Sequence, residues 1–175
     1  MIMSSSRMAR RAEPAESYTL VPPSLAPVAQ KASDQALVAK ARKIVRKIAA
    51  EHAASVDAEA RFPAEAFAAL RQERLLGIMI PEVLGGEEAS LTAIAEICSL
   101  LAQGCASTGM IYAMHQIKTS SLVTHAQDEE WHRGFMRRIA EEQLLLASAT
   151  TEGGGVGGDL RTSNCGVSQV GSRFE

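Results

Sequence analysis

A glycine-rich stretch near the end of the chain has the spacing of a phosphate-binding loop. Gly153 to Gly158 reads G-G-G-V-G-G and matches G-x-G-x-x-G, which cradles a pyrophosphate in dinucleotide-binding proteins. That chemistry needs a helix to begin at the last glycine, so that its N-terminal dipole faces the phosphates. Asp159 to Gly166 are poor helix formers, and no Lys-Ser/Thr pair follows the glycines. We therefore interpret the stretch as a loop, neither a Rossmann fingerprint nor a P-loop.

One E-x-x-H pattern, Glu129 with His132, is a di-iron ligand pattern of helical bundles. A di-iron site needs a second copy, and no other histidine has glutamate three residues before it. His125, Asp128 and His132 share a helical face and could together bind a metal. The simpler interpretation is a capped helix start with acidic residues in its first turn, and we expect no metal site.

A third candidate lies on one predicted helix, where Met110, Tyr112, Met114 and His115 could line an apolar pocket. Methionine at helical spacing is more often part of a core, and we interpret the group in that way. His115 is the exception, because an imidazole among apolar neighbours needs a polar partner. It is our candidate for a substrate-binding residue.

Apolar residues recur with helical period from Ser33 to about Gln143 and predict five helices. The first helix buries Leu37, Ile44, Ile48 and Val56; the second begins at Pro63, buries Phe67 and Leu70, and ends at Gly77 in a left-handed cap. Ile78 to Pro81 is predicted to be extended and Gly85-Gly86 to form a turn.

The third helix has Ser90 as its N-cap and Leu91, Ile94, Ile97 and Leu101 inward, and Gly104 breaks it. The fourth opens at Ser107 with Ile111, Met114, Ile117 and Leu122 as its stripe, and the fifth is capped by Asp128 with Trp131, Phe135 and Ile139 buried.

The pattern changes after these helices. Leu144 to Thr151 loses the helical period and is predicted to be a strand leaving a core. Thr162 to Val167 predicts a second strand, Gly171-Ser172 a turn, and Arg173 to Glu175 the start of a third. The domains are therefore a disordered tail over 1–33, which holds four of the six prolines, a helical domain over 34–143, and an unfinished β domain over 144–175.

Composition narrows the class of protein. Of the 175 residues 46% are hydrophobic, and 29 alanines but only 4% aromatic residues predict a mainly helical fold. Net charge −2 argues against nucleic-acid binding, and no apolar run approaches the roughly 18 residues needed to span a membrane. Three cysteines without a C-x-x-C pair indicate reduced thiols and a cytoplasmic protein.

The order of short motifs along residues 34–175 resembles the acyl-CoA dehydrogenase superfamily. The motifs, in order, are Phe62-Pro63-Ala64-Glu65, Leu75-Leu76-Gly77, Ile80-Pro81-Glu82, Gly85-Gly86, Gly104-Cys105-Ala106-Ser107-Thr108, Ala113-Met114-His115-Gln116, Thr151-Glu152 and Gly158-Asp159. The resemblance implies an N-terminal antiparallel helical bundle followed by the first strands of an incomplete β-barrel. It also implies FAD as cofactor, acyl-CoA or another small molecule as substrate, a homo-oligomeric complete enzyme, and a C-terminal bundle carrying the catalytic carboxylate, which this chain lacks.

The resemblance places flavin contacts on Ser148, Thr150 and Thr151, and a pyrophosphate-side contact on Gly157 and Gly158. Fixed donors at the first group would stabilise the negative charge of a reduced flavin. Gly153 replaces the family's usual proline, and Gly158 stands where serine is common, which removes a hydroxyl donor. FMN and the flavin-dependent monooxygenases of the same superfamily therefore stay open as alternatives.

We expect a fragment of a flavin-dependent dehydrogenase of acyl-CoA thioesters that is inactive alone and contributes no catalytic residue. The competing interpretation is a non-enzymatic helical module that associates through an apolar face, because unfinished sheets expose strand edges.

Overall fold

Helices account for most of the computed structural model, which describes residues 31–125, 128–148, 169–171 and 173–174. The α-helices are α1 (Ala32–Ile44), α2 (Ala50–Ala58), α3 (Ala64–Gln72), α4 (Leu91–Gly104), α5 (Ala106–His125) and α6 (Glu130–Glu142). A π-helical turn, Val45–Ala49, joins α1 to α2, and a 3-10 turn, Glu82–Leu84, precedes α4. The mainly helical fold is as predicted. The predicted tail falls almost entirely outside the described residues and stays a prediction.

The first predicted helix is continuous through the π-turn. Leu37, Ile44 and Val56 are buried as expected, while Ile48 is only partly buried and Ala49 takes its place in the core. The five-residue step from Ile44 to Ala49 is too long for one face of a regular α-helix. The wider π-turn accommodates that step and keeps both residues on the inner face.

Helix α3 ends five residues earlier than predicted, and Gly77 is not its cap. Arg74 takes the left-handed conformation (φ 58°), and the Leu75 amide bonds the Leu70 carbonyl at 2.9 Å, as in a Schellman motif. Gly77 serves close packing instead, because a Cβ there would lie 2.7 Å from the Cα of Ala140 in α6. The predicted extended segment after Gly77 is also wrong, since the Ile80 amide bonds the Gly77 carbonyl in a turn.

Helix α4 begins as predicted. The Ser90 hydroxyl accepts a hydrogen bond from the Ala93 amide at 3.2 Å, and Gly85 adopts the positive φ (87°) expected of the preceding turn. Ile94, Ile97 and Leu101 are buried. Leu91 is 72% exposed, contrary to the prediction, because it lies at the end of α4 where no described residue covers it.

Helices α4 and α5 run antiparallel and pack closely. Leu91 at the start of α4 and Ser120 near the end of α5 line the same cavity. Ala102 near the end of α4 lies against Gly109 near the start of α5, where a Cβ on Gly109 would lie 2.5 Å from Ala102 Cα. Only a hydrogen atom fits between the two helices at Gly109.

The inner face of α5 is the reverse of the predicted one. Its buried residues are Thr108, Gly109, Tyr112, His115, Gln116 and Thr119. Of the predicted stripe, Met114 and Ile117 are exposed, whereas Ile111 and Leu122 are only partly buried. Tyr112, His115 and Gln116 can occupy the inner face because backbone groups of a neighbouring turn supply hydrogen bonds to their side chains, as described below. The buried Thr108 hydroxyl has no hydrogen-bond partner among the described residues.

Helix α6 and the residues after it depart in part from the prediction. The N-cap is Glu129 rather than Asp128, and Trp131 is 71% exposed and stacks on Phe135 with ring centroids 5.5 Å apart. Ile139 is buried as expected. Trp131 is exposed because it lies in the first turn of α6, outside the cluster in which Met136, Ile139 and Ala140 pack against Ile80 and Leu84.

Residues 144–148 form no regular secondary structure, so the predicted first strand is not present in its described part. Further on, Gln169–Val170 pairs antiparallel with Arg173–Phe174, and Gly171 has φ 64°, which confirms the predicted turn. The β-barrel itself stays a prediction.

Candidate functional site

A buried polar cluster, here called the polar clasp, surrounds the backbone of the turn after α3. It consists of Tyr112, His115 and Gln116 of α5 and Gln143 after α6, all bonded to Leu75 or Leu76. The Tyr112 hydroxyl donates to the Leu75 carbonyl at 2.8 Å, and Gln116 Nε2 lies 3.4 Å from both the Leu75 and the Leu76 carbonyl oxygens. The clasp ties α3, α5 and α6 together through main-chain atoms.

His115 is the centre of this cluster. Its side chain is fully buried, with Nε2 2.8 Å from the Leu76 carbonyl oxygen. Nδ1 accepts a hydrogen bond from the Leu146 amide at 3.0 Å. Because a carbonyl can only accept and an amide only donate, the ring must be neutral with its proton on Nε2. Both nitrogen atoms are therefore engaged by backbone groups.

Electrostatics favour the neutral forms throughout the clasp. Burial lowers the pKa of His115 despite the bond to Leu76, since desolvation penalises the imidazolium. Burial also raises the pKa of Tyr112 well above its usual range, so its hydroxyl stays a donor. The hydrogen bonds of the clasp thus hold the His115 and Tyr112 protons in fixed positions.

Gln143 completes the clasp from the end of α6. Its Oε1 accepts from the Leu76 amide at 2.9 Å, and its Nε2 donates to the Ala140 carbonyl at 2.7 Å. It adopts a left-handed backbone (φ 53°), which directs the chain out of α6 into residues 144–148. Leu76 thus has its amide bonded to Gln143 and its carbonyl to His115.

Residues 146–147 border a cavity of about 430 Å³ between α5 and α6. Its lining is Lys118, Ser121 and Leu122 of α5, Phe135 of α6, and Leu146 and Ala147. The lining thus combines one cation, one hydroxyl group and several apolar groups. The volume lies within the range of ligand pockets, about 300–1,000 Å³.

A second, smaller cavity of about 230 Å³ lies between α4 and α5. It is lined mainly by apolar residues together with the half-buried Cys98, whose thiol pKa is raised by burial. Gln116 Oε1 is buried at its edge and has no hydrogen-bond partner among the described residues. This cavity is open to the exposed apolar side of α5.

The predicted site residues are only partly within the described structure. Ser148 is half-buried and directly follows Ala147 at the first cavity, while Thr150, Thr151, Gly157 and Gly158 lie outside the described residues. His115 lies in the clasp rather than in the lining of either cavity. Its predicted contact with substrate, like the five predicted cofactor contacts, stays a prediction.

Sequence reasoning missed Tyr112, Gln116 and Gln143 as members of one cluster. A tyrosine, a histidine and a glutamine at positions i, i+3 and i+4 share a helical face, and that spacing was the available signal. Nothing local identifies Gln143, because its partner Leu76 is 67 residues away. Among the described residues, no group of three or more His, Cys, Asp or Glu side chains is arranged to hold a metal ion.

Comparison with known proteins agrees with this architecture. Residues 31–130 match the family model "Acyl-CoA dehydrogenase, N-terminal domain". The chain is 34% identical over 116 residues to "Probable acyl-CoA dehydrogenase fadE25" of Mycobacterium leprae, which covers 66% of this chain and 30% of that protein. It is 24% identical over 123 residues to "3-sulfinopropanoyl-CoA desulfinase" of Paraburkholderia xenovorans, which covers 70% of this chain and 32% of that protein.

The helical domain, in which α4 and α5 run antiparallel, corresponds to the N-terminal domain of a class of longer proteins. The chain belongs to the acyl-CoA dehydrogenase family, as the resemblance predicted. Its matched region spans about a third of the length of these relatives. Within the described ranges, no helix has both the length and the apolar character that crossing a bilayer requires.

Proposed function

We propose that this chain forms one wall of a flavin site in an oxidoreductase that dehydrogenates acyl-CoA thioesters. The observation that carries the proposal is the cavity beside Leu146 and Ala147, which adjoins Ser148 in a chain of the acyl-CoA dehydrogenase family. A bound flavin would supply the acceptor for a hydride from substrate. FAD is the cofactor we propose, and FMN is the alternative to be tested.

The residues of the cavity suit one face of a flavin ring. Leu122 and Phe135 offer apolar contact to a planar aromatic group, while Lys118 and Ser121 offer donors to its polar edge. A cation near a ring that gains negative charge on reduction stabilises the reduced form. The chain's own role is thus to bind and orient the ring and to exclude water from one side.

We further propose that these 175 residues are inactive alone. Abstraction of an α-proton from a thioester requires a base, and no described residue lining this cavity carries a carboxylate. By this proposal the base would come from another chain or from a further part of the complete enzyme.

The purified chain is titrated with FAD and, separately, with FMN, and binding is followed by flavin fluorescence. Activity is then tested as reduction of a dye in the presence of a saturated acyl-CoA. We expect flavin binding that is weakened by Lys118→Ala and unaffected by the control Lys47→Ala on the exposed face of the first helix. No dye reduction is expected. Absence of binding to either flavin would contradict the flavin wall, and dye reduction by the chain alone would contradict its inactivity.

A second candidate function is association with another copy of this chain. Met110, Met114 and Ile117 form an exposed apolar stripe on α5, beside the exposed Leu91 of α4. Contiguous exposed apolar side chains mark interaction surfaces. Sedimentation or light scattering should show a dimer that Ile117→Ser weakens, with Val83→Ser as the control because Val83 is exposed elsewhere (84%). A wild-type monomer at all concentrations would exclude this function.

A further inference from the structure

The polar clasp and the cavity meet at a single hydrogen bond. Leu146 lines the cavity, and its amide is the donor to Nδ1 of His115. Residues 144–148 have no regular secondary structure, so no helical or sheet ladder fixes them. The Leu144 amide bonds the Ile139 carbonyl at 3.3 Å, which closes the C-terminal end of α6 and leaves Leu146 beyond it.

The other end of the His115 ring is held by a rigid turn. Nε2 bonds Leu76, whose amide is bonded in turn to Gln143. A ring held at both nitrogen atoms cannot rotate without leaving a buried polar group unpaired, which is costly. The imidazole therefore transmits the position of the Leu76 turn to Leu146.

We propose that His115 is a positioning residue, which sets Leu146 and Ala147 at the wall of the cavity through its bond to the Leu146 amide. Only the consequence of this inference for flavin binding rests on the proposed function. That His115 holds Leu146 in place can be tested without a flavin. Ser148 lies only two residues beyond Leu146, about 7 Å of extended chain, so a shift of Leu146 also moves Ser148.

Two substitutions distinguish the roles of the two ring nitrogen atoms of His115. The amide of asparagine reaches as far as Nδ1, so His115→Asn keeps an acceptor for Leu146 and loses the bond to Leu76. The amide of glutamine reaches as far as Nε2, so His115→Gln keeps a partner for Leu76 and loses the acceptor for Leu146. Thr119→Val is the matched control, since Thr119 is a buried polar residue one turn further along α5 whose hydroxyl bonds only within the helix.

Amide hydrogen exchange by NMR supplies the readout, taken as the rate at Leu146 divided by the rate at Ile97 in α4. Ile97 lies in the core helix α4 and reports global unfolding, so a variant that loses only global stability does not raise this ratio. We expect His115→Gln to raise this ratio about fivefold to tenfold, as loss of one hydrogen bond predicts, with His115→Asn and Thr119→Val within about twofold of wild type. An unchanged ratio in His115→Gln, or equal increases in all three variants, would overturn the proposal.

A measurement on the wild type covers the case in which a variant fails to fold. An N–H···N hydrogen bond gives a scalar coupling between its two nitrogen nuclei, here Leu146 N and His115 Nδ1. We expect this coupling to be observed, and its absence would overturn the proposal. Neither experiment uses flavin, so failure of the flavin titrations contradicts the proposed function and leaves the positioning role of His115 to be decided by these results.

Discussion

Replacing Gly109 by alanine tests the close contact that brings the inner face of α5 to the polar clasp. The new Cβ would lie 2.5 Å from both Cα and Cβ of Ala102 and 2.6 Å from its amide nitrogen. Carbon atoms in contact prefer separations of about 3.5–4.0 Å, so the two helices must move apart by about 1 Å or more. All three atoms belong to the backbone or to the one-carbon side chain of Ala102, so no rotamer change relieves the clash.

The expected magnitude follows from two opposing terms. Overpacking of this kind costs about 1–3 kcal/mol, and exchanging glycine for alanine within a helix returns about 0.8–1.0 kcal/mol. Gly134→Ala in α6 is the matched control, because a Cβ there has no heavy atom within 4 Å and gains the helical term alone. The free energy of unfolding of Gly109→Ala should therefore fall below that of Gly134→Ala by about 1–3 kcal/mol.

Urea unfolding followed by far-UV circular dichroism measures both variants. We expect the midpoint to shift while the slope m stays constant, since the surface exposed on unfolding is unchanged. In the Gly109→Ala variant, the Leu146 amide should also exchange faster, because His115 moves with α5. Equal stability of the two alanine variants would refute the close approach of α4 and α5.

Three further predictions concern the clasp and the core. The folded-state pKa of His115 lies below its ordinary value of 6.5, so the unfolded chain takes up a proton more readily than the folded chain. The contribution of His115 to the free energy of unfolding should therefore be fully present above pH 6.5 and decline below it. Urea unfolding from neutral to mildly acidic pH should show a flatter pH dependence for His115→Asn. At Gln143, with φ 53°, alanine and glycine both lose the side-chain bonds, but alanine should be less stable by about 1–2 kcal/mol because only glycine avoids left-handed strain; equal urea midpoints would contradict this. Phe67→Ala should cost about 3–5 kcal/mol, against less than about 1 kcal/mol for Phe62→Ala, since the first ring is fully buried and the second 46% exposed; thermal unfolding that ranks them otherwise would contradict the assigned core.

Local chemistry made parts of the fold predictable from the sequence. Ser90 as N-cap and Gly85 and Gly171 in turns depend on backbone groups within a few residues, and these predictions are confirmed. Gly77 was misinterpreted because a glycine after a helix predicts a left-handed cap, whereas its role is to admit Ala140 from 63 residues further along the chain. Contacts of that range leave no local pattern.

The prediction of the inner face of α5 was wrong for a thermodynamic reason. Periodicity analysis assumes that apolar residues face inward, which holds when no polar partner is available inside. The turn at Leu75 and Leu76 has buried carbonyl groups that need donors, and Tyr112, His115 and Gln116 supply them. Polar residues with such partners bury at little cost, and the apolar residues of α5 are then turned outward.

The candidate site was predictable only through resemblance to a family. Ser148 was selected in that way, and its place beside the cavity is consistent with a flavin contact, which stays a proposal. Nothing in the sequence connects His115 to Leu146, because a histidine side chain bonded to a backbone amide 31 residues away has no sequence pattern. The residue was correctly singled out as needing a polar partner.

Helix α5 contributes to three features of the described structure, namely the polar clasp, the apolar stripe and the cavity. Its inner face holds the clasp, its outer face carries the apolar stripe that includes Ile117, and between them Lys118 and Leu122 form one side of the cavity. A rigid helix fixes the angular relation of these faces, so a rotation of α5 that improved burial of Ile117 would break the His115 bonds and displace Lys118. The polar inner face is thus what prevents α5 from burying its own apolar stripe, and it leaves Ile117 exposed.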